Sequence, residues 1–107
     1  MAIDSDAVDA AVGPSTLKVL GDPVRWEIVR RLGVEDLCVC HLVEDLDLAQ
    51  PLVSHHLRVL REAGVVEPER CGPFTYYVLD RDTLRRLARE LGELGTTPRR
   101  PRRRPCT

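Results

Sequence analysis

The sequence predicts a mainly α-helical domain carrying a β-hairpin, the winged helix-turn-helix arrangement. Three observations predict it. Apolar residues recur at helical spacing through most of the 107-residue chain. Near the middle, a short helix and a tight turn lead into the longest clear helix, residues 50 to 63. Two alternating runs follow, residues 65 to 70 and 74 to 79, around the turn-forming Cys71-Gly72-Pro73.

Each element has a local reason. Ala7, Val8, Ala11 and Val12 form a helix-period stripe ended by Gly13-Pro14. Leu17, Val19 and Leu20 make a short helical turn closed by Gly21. Asp22-Pro23 is a strong helix start, with a capping carboxylate and then proline in the first turn. That helix runs to Leu32, stops at Gly33, and faces the core with Val24, Ile28 and Leu32. Leu37, Cys38 and Val39 read as a short extended piece, and 41 to 46 as a helix with Leu42, Val43 and Leu46 inward. This reading puts Cys40 at the helix cap. Pro51 opens the next helix, which Gly64 stops. Asp80 caps a last helix on which Leu84, Leu87, Leu91 and Leu94 form a seam for another helix. Residues 96 to 107 are rich in proline and arginine and are expected to be disordered. The expected organisation is therefore an N-terminal dimerisation helix (1–14), a winged domain (15–80), a C-terminal dimerisation helix (81–95) and the arginine-rich tail (96–107).

Composition narrows the function classes. No apolar run approaches the roughly 20 residues that span a bilayer. The first residues are acidic, without the basic start of a secretory signal, so a cytoplasmic location is expected. The net charge of −1 hides an asymmetry. Five of the 16 basic residues are Arg99, Arg100, Arg102, Arg103 and Arg104, which leaves 11 against 17 acidic ones, a body of net −6. Nucleic-acid binding must then use a local patch or the tail. Such a patch is present on residues 50–63. Val53, Leu57 and Leu60 form the inward stripe, while Gln50, Ser54, Arg58 and Arg61 lie opposite, flanked by His55. These side chains suit phosphate oxygens and base edges. An ordinary solvated helix face has the same look, and it is the preceding helix-turn and following hairpin that favour DNA. Arg70, ending the first hairpin strand, is placed to reach a neighbouring phosphate. His55 and His56 are adjacent on a helix, about 100° apart, and make a poor chelating pair.

Cys38 and Cys40 stand two apart among only four cysteines. Three roles fit: ligands for a soft ion, a redox pair, or two small buried apolar residues. In a regular helix, positions i and i+2 point about 200° apart and cannot share an ion. On an extended piece leading into a helix cap they converge, and a helix N-terminus favours the thiolate. A Cys38–Cys40 disulfide is the least expected arrangement. No catalytic constellation is visible, and redox enzymes use Cys-x-x-Cys, so an enzyme is not expected.

The segments "LKVLGDPVRWEIVRRL", "DLCVCHLVEDL", "AQPLVSHHLRVLREAGVV" and "GPFTYYVL" resemble the ArsR/SmtB family of metal-responsive winged-helix repressors, over residues 15 to 94. Cys-Val-Cys before the helix-turn-helix is similar to members that sense As(III) and Sb(III). The resemblance implies a homodimeric repressor that leaves a palindromic operator when the metalloid binds Cys38 and Cys40. Cd(II) or Pb(II) at the same cysteines, and a thiol redox-sensing regulator, are the alternatives. The chain departs from the pattern at Val43, where a third cysteine is common, at Asp47, where glycine is usual, and at Ala49, where serine commonly caps. A third ligand would come from Cys106 in the tail, less readily from Cys71 in the wing, or from a small thiol or water. His41 is adjacent but a harder donor. Zinc-binding members use Asp and His on the last helices, and the final helix here has no His.

Overall fold

The structure, a computed structural model, describes residues 13–96 and 103–106. The expected helix over 5–12 and most of the tail lie outside the described residues. The elements are α1 (Pro14–Leu20), α2 (Pro23–Leu32), β1 (Leu37–Cys38), α3 (Val39–Leu46), α4 (Gln50–Glu62), β2 (Val66–Cys71), β3 (Phe74–Leu79) and α5 (Arg81–Gly95). Helices α3 and α4 form the helix-turn-helix, and β2–β3 the wing.

Helix ends follow side-chain chemistry. The Asp22 carboxylate accepts the backbone N–H of Val24 at 2.8 Å and of Arg25 at 3.1 Å, and Pro23 follows it. These two backbone donors satisfy groups a helix start leaves open. They hold the Asp22 carboxyl below its ordinary value, the Arg25 N–H contributing most and burial opposing. Asp80 caps α5 by accepting from Thr83 N–H at 3.1 Å. Past α4, Gly64 takes φ 75. Gly64 N–H donates to the Arg61 carbonyl and Val65 N–H to the Leu60 carbonyl, each at 2.9 Å. That is the Schellman arrangement, with buried Val65 packing beyond the end. Asp47 takes the left-handed conformation, φ 54 and ψ 46, at the end of α3. The turn needs it, and a short polar side chain tolerates it better than most.

The core is the meeting of these stripes. Ile28 and Leu32 from α2, Leu42 from α3, and Val53, Leu57 and Leu60 from α4 are buried to 1% exposure or less, with Val65 and Val66. Val29 joins them, whereas Val24 is only half-buried.

The sheet has one strand more than the hairpin. Its order is β1-β3-β2, all antiparallel. Leu37 pairs with Tyr77 and Cys38 with Tyr76. The wing itself runs from Val66↔Leu79 to Cys71↔Phe74, closed by Gly72 at φ 61 and Pro73. A two-residue hairpin loop needs a positive φ, which glycine supplies. The first wing strand begins one residue later than the sequence pattern suggests and extends through Cys71.

Candidate nucleic-acid interface and thiol site

Helix α4 separates two faces. Val53, Leu57 and Leu60 are buried, and Gln50, Ser54, His55, Arg58 and Arg61 are exposed along the outer side. The Arg58 guanidinium lies 3.5 Å from His55 Nδ1. Ala49, the cap, offers no side-chain acceptor. Arg70 is exposed on β2, opposite Thr75. The structure therefore gathers the five helix residues on one solvent-facing surface and sets Arg70 apart on the wing.

His56 turns the other way. It is 7% exposed, and its Nδ1 faces the Arg25 guanidinium at 3.2 Å, while Arg25 Nε donates to the Val19 carbonyl at 2.7 Å. Arginine is always a donor, so Nδ1 accepts and the ring is neutral. Burial pushes the His56 pKa down, Asp22 partly opposes, and Arg25 and His55 add to the lowering. The positions 53, 56, 57 and 60 are i, i+3, i+4 and i+7, so this contact is readable from spacing once a polar residue is allowed on the stripe.

At the thiol pair, the start of α3 differs from expectation. The helix begins at Val39, so Cys38 is its cap, with extended φ −90 and ψ 168, and Cys40 lies in the first turn. The β-branched Val39 reads locally as strand but serves the helix. Cys38 is 5% exposed and Cys40 is exposed. Their Cα atoms are 5.4 Å apart, inside the disulfide range, and the two sulfurs are bonded. The arrangement expected least on sequence grounds is the one present, because a cap residue and a first-turn residue converge as an extended pair does. Around them, Cys38 N–H donates to His41 Nδ1 at 3.2 Å, and Cys38 Sγ lies 3.3 Å from the same nitrogen. One potential donor atom from each of Cys38, Cys40 and His41 falls within 4.8 Å of the others. The His41 ring is tilted against Tyr76 of β3, with centroids 6.1 Å apart. Cys71, in the wing, and Cys106, in the tail, are free and exposed.

A third surface extends the Leu84–Leu94 seam onto α1 and α2. Leu17, Leu20, Gly21, Trp26, Leu84, Leu87, Ala88 and Leu91 line an apolar groove of ≈ 400 Å³ between α1, α2 and α5. Trp26 is 51% exposed, Leu91 47% and Leu94 73%. Trp26 is a lone aromatic on an otherwise charged helix face, and no pattern in α2 marks it. No helix among the described residues is long and apolar enough to cross a membrane.

Comparison with known proteins agrees with this geometry. Residues 22–67 match the family described as bacterial regulatory protein, arsR family. The arsenical resistance operon repressor of Staphylococcus xylosus is 35% identical over 81 residues, 76% of this chain and 78% of that protein. The arsenic resistance transcriptional regulator ArsR1 of Pseudomonas putida is 42% identical over 67 residues, 62% of this chain. The chain spans about half of that relative's length, 52%. A solved structure described as a possible transcriptional regulator for arsenical resistance superposes with a TM-score of 0.68 at 33% identity, over 77% of this chain and 85% of that one. The fold is that of winged helix-turn-helix DNA-binding regulators, and the chain belongs to the arsR family of bacterial regulatory proteins.

Proposed function

We propose that the protein is a homodimeric transcriptional repressor that leaves a palindromic operator when As(III) or Sb(III) binds the thiolates of Cys38 and Cys40. The observation that carries this reading is the convergence of the two sulfurs at the first turn of α3. Two soft donors so close fit a thiophilic ion. Their position supplies the coupling. Cys38 is at once the cap of α3 and the partner of Tyr76 in the wing. Holding Cys38 and Cys40 around an ion therefore changes both the start of the helix-turn-helix and the strand that steadies the wing. Helix α4 packs on the same core through Val53, Leu57 and Leu60 and follows.

On DNA, α4 lies in the major groove, with Gln50, Ser54, His55, Arg58 and Arg61 toward bases and phosphates and Arg70 on a flanking phosphate. The exposed apolar groove and the α5 seam supply the dimer contact, and two-fold symmetry matches a palindrome. Two recognition helices must fit grooves about 34 Å apart, so a small shift spoils both contacts. A hundredfold loss of operator affinity needs a coupling of about 2.7 kcal/mol, within the usual allosteric range. Cys106 is the first candidate for a third thiolate, ahead of Cys71.

The bonded sulfurs favour a second reading, a thiol redox-sensing regulator using the same pair. Gel-shift titration of the reduced protein on one candidate operator separates the two. Arsenite and antimonite are expected to release the DNA at lower concentration than cadmium, lead or zinc. Release by oxidant alone, with no effect of any of these ions, would overturn the metalloid reading.

A further inference from the structure

We infer that Arg25 and His56 are positioning residues for DNA binding, a clasp that fixes how α4 sits on α1 and α2 and that closes only while His56 is neutral. The inference rests on the reading of α4 as the helix that enters the operator. Other contacts hold α4 without fixing its direction. Val53, Leu57 and Leu60 seat it by apolar burial, which is non-directional. Ala49, its cap, adds no side-chain bond. Among the described residues, the contact of Arg25 with His56 is the one side-chain hydrogen bond that joins α4 to another element. Arg25 Nη1 donates to His56 Nδ1 at 3.2 Å, and Nε of the same guanidinium donates to the Val19 carbonyl at 2.7 Å. One planar, rigid fork thus ties α1, α2 and α4 together. A fork with fixed directions sets the rotation of α4 about its axis. Ser54, His55 and Arg58 are within two residues of His56 on the opposite, exposed side, so a change in that rotation displaces all three.

The clasp depends on one proton. Arginine only donates, so Nδ1 must keep its lone pair. A proton there removes the acceptor and sets two cations 3.2 Å apart. The charged and titratable groups facing the ring are Asp22 and Arg25 from α2 and His55 from α4 itself. From α1 the clasp receives the Val19 carbonyl, which is uncharged. Asp22 favours a charged ring, but its carboxylate already accepts the N–H groups of Val24 and Arg25. Burial, Arg25 and His55 favour the neutral ring, burial most. The clasp is therefore closed at neutral pH and opens in mild acid. The competing role for His56 is purely structural, a buried ring that fills space. Such a ring would affect stability and leave the operator affinity of the folded chain without a pH response of its own.

His56→Asn separates the two roles. The asparagine carbonyl keeps an acceptor near the place of Nδ1 and does not titrate. The reduced full chain, free of metalloid, is titrated onto a fragment of its own promoter region by fluorescence anisotropy at pH 7.5 and 5.5. Ionic strength is constant, and circular dichroism follows helix content. Titration of His41 and His55 is common to both proteins and cancels in the comparison. In the proposed homodimer both clasps must be closed, so half-protonated rings leave about one dimer in four competent. Wild type is expected to lose affinity from pH 7.5 to 5.5 by roughly fourfold more than His56→Asn, with helix content unchanged. At pH 7.5, where no acid acts on the fold, His56→Leu is expected to bind roughly tenfold more weakly than wild type, the scale of one hydrogen bond to a charged group. His56→Asn is expected to recover most of that loss. Identical pH responses in wild type and His56→Asn, or wild-type affinity in His56→Leu at pH 7.5, overturn the inference while leaving α4 as the DNA-binding helix. Absence of binding by wild type to any part of its promoter region overturns the reading of α4, and the clasp's role with it.

Discussion

Giving the recognition helix the cap it lacks should stabilise the protein. Ala49 sits in the cap position of α4 with φ −64 and ψ 143, the extended geometry a capping residue adopts, yet has no side-chain acceptor. Pro51 has no N–H, so the first turn presents fewer open donors than usual. Leu52 N–H reaches only the Ala49 carbonyl, at 3.1 Å, a bond it shares with Val53 N–H. A serine hydroxyl at position 49 would accept from Leu52 N–H. Ala49 is exposed, so the added oxygen meets no packed neighbour. The general range for such caps is about 0.5–2 kcal/mol, and the shared bond places Ala49→Ser near the lower end, about 0.5–1 kcal/mol. For a domain of this size that is a rise in Tm of roughly 2–8 °C. Thermal unfolding followed by circular dichroism measures it, with Ala49→Val as a control that adds volume without an acceptor. A Tm no higher than wild type, or an equal rise in Ala49→Val, would refute the capping argument.

Other expectations follow from the same geometry. Arg58→Ala and Ser54→Ala should weaken operator binding by about 1–3 kcal/mol where a base is read, with unfolding midpoints unchanged. Equal affinity in both variants by fluorescence anisotropy would make the outer stripe only a solvated face. His56 should make stability fall in mild acid. Its folded pKa lies below the ordinary value of about 6.5, so the unfolded chain binds more protons as pH falls through that value. Stability is then full above about pH 6.5 and declines below it. Denaturant midpoints should drop between about pH 7.5 and 5.5, and drop less in His56→Leu. The paired substitution Leu91→Ala, Leu94→Ala removes side chains that are 47% and 73% exposed. Burial of that surface in a dimer is worth about 2 kcal/mol per protomer, counted twice in a symmetric contact, so the dissociation constant should rise by roughly 1,000-fold in sedimentation.

Local chemistry made much of the fold legible. Asp22-Pro23, Gly64, Cys71-Gly72-Pro73 and Asp80 each carry a cap or turn signal, and each marks an element's end to within a residue or two. The stripe of α4 is strong because Val53, Leu57 and Leu60 repeat it over two full turns. The join between β1 and β3 was not legible. Two residues carry no period, and their pairing depends on where the packed helix-turn-helix and wing place Tyr76 and Tyr77. The start of α3 was misplaced by two residues because cysteine has no capping preference and Val39 favours strands. That shift matters most at the candidate site, since it makes Cys38 rather than Cys40 the cap. The hydrogen bond from Cys38 N–H to His41 was not legible either, because it is a product of that cap geometry. The groove at Trp26 arises from three helices meeting, which no single segment records.

In the proposed function, Cys38 and Cys40 couple ligand binding to DNA release. This coupling is tested most directly by arsenite titration of the reduced Cys38→Ser, Cys40→Ser double variant bound to its operator, beside wild type. Equal operator affinity without arsenite, release of wild type and no release of the variant are expected. Release of the double variant at the wild-type arsenite concentration would contradict it.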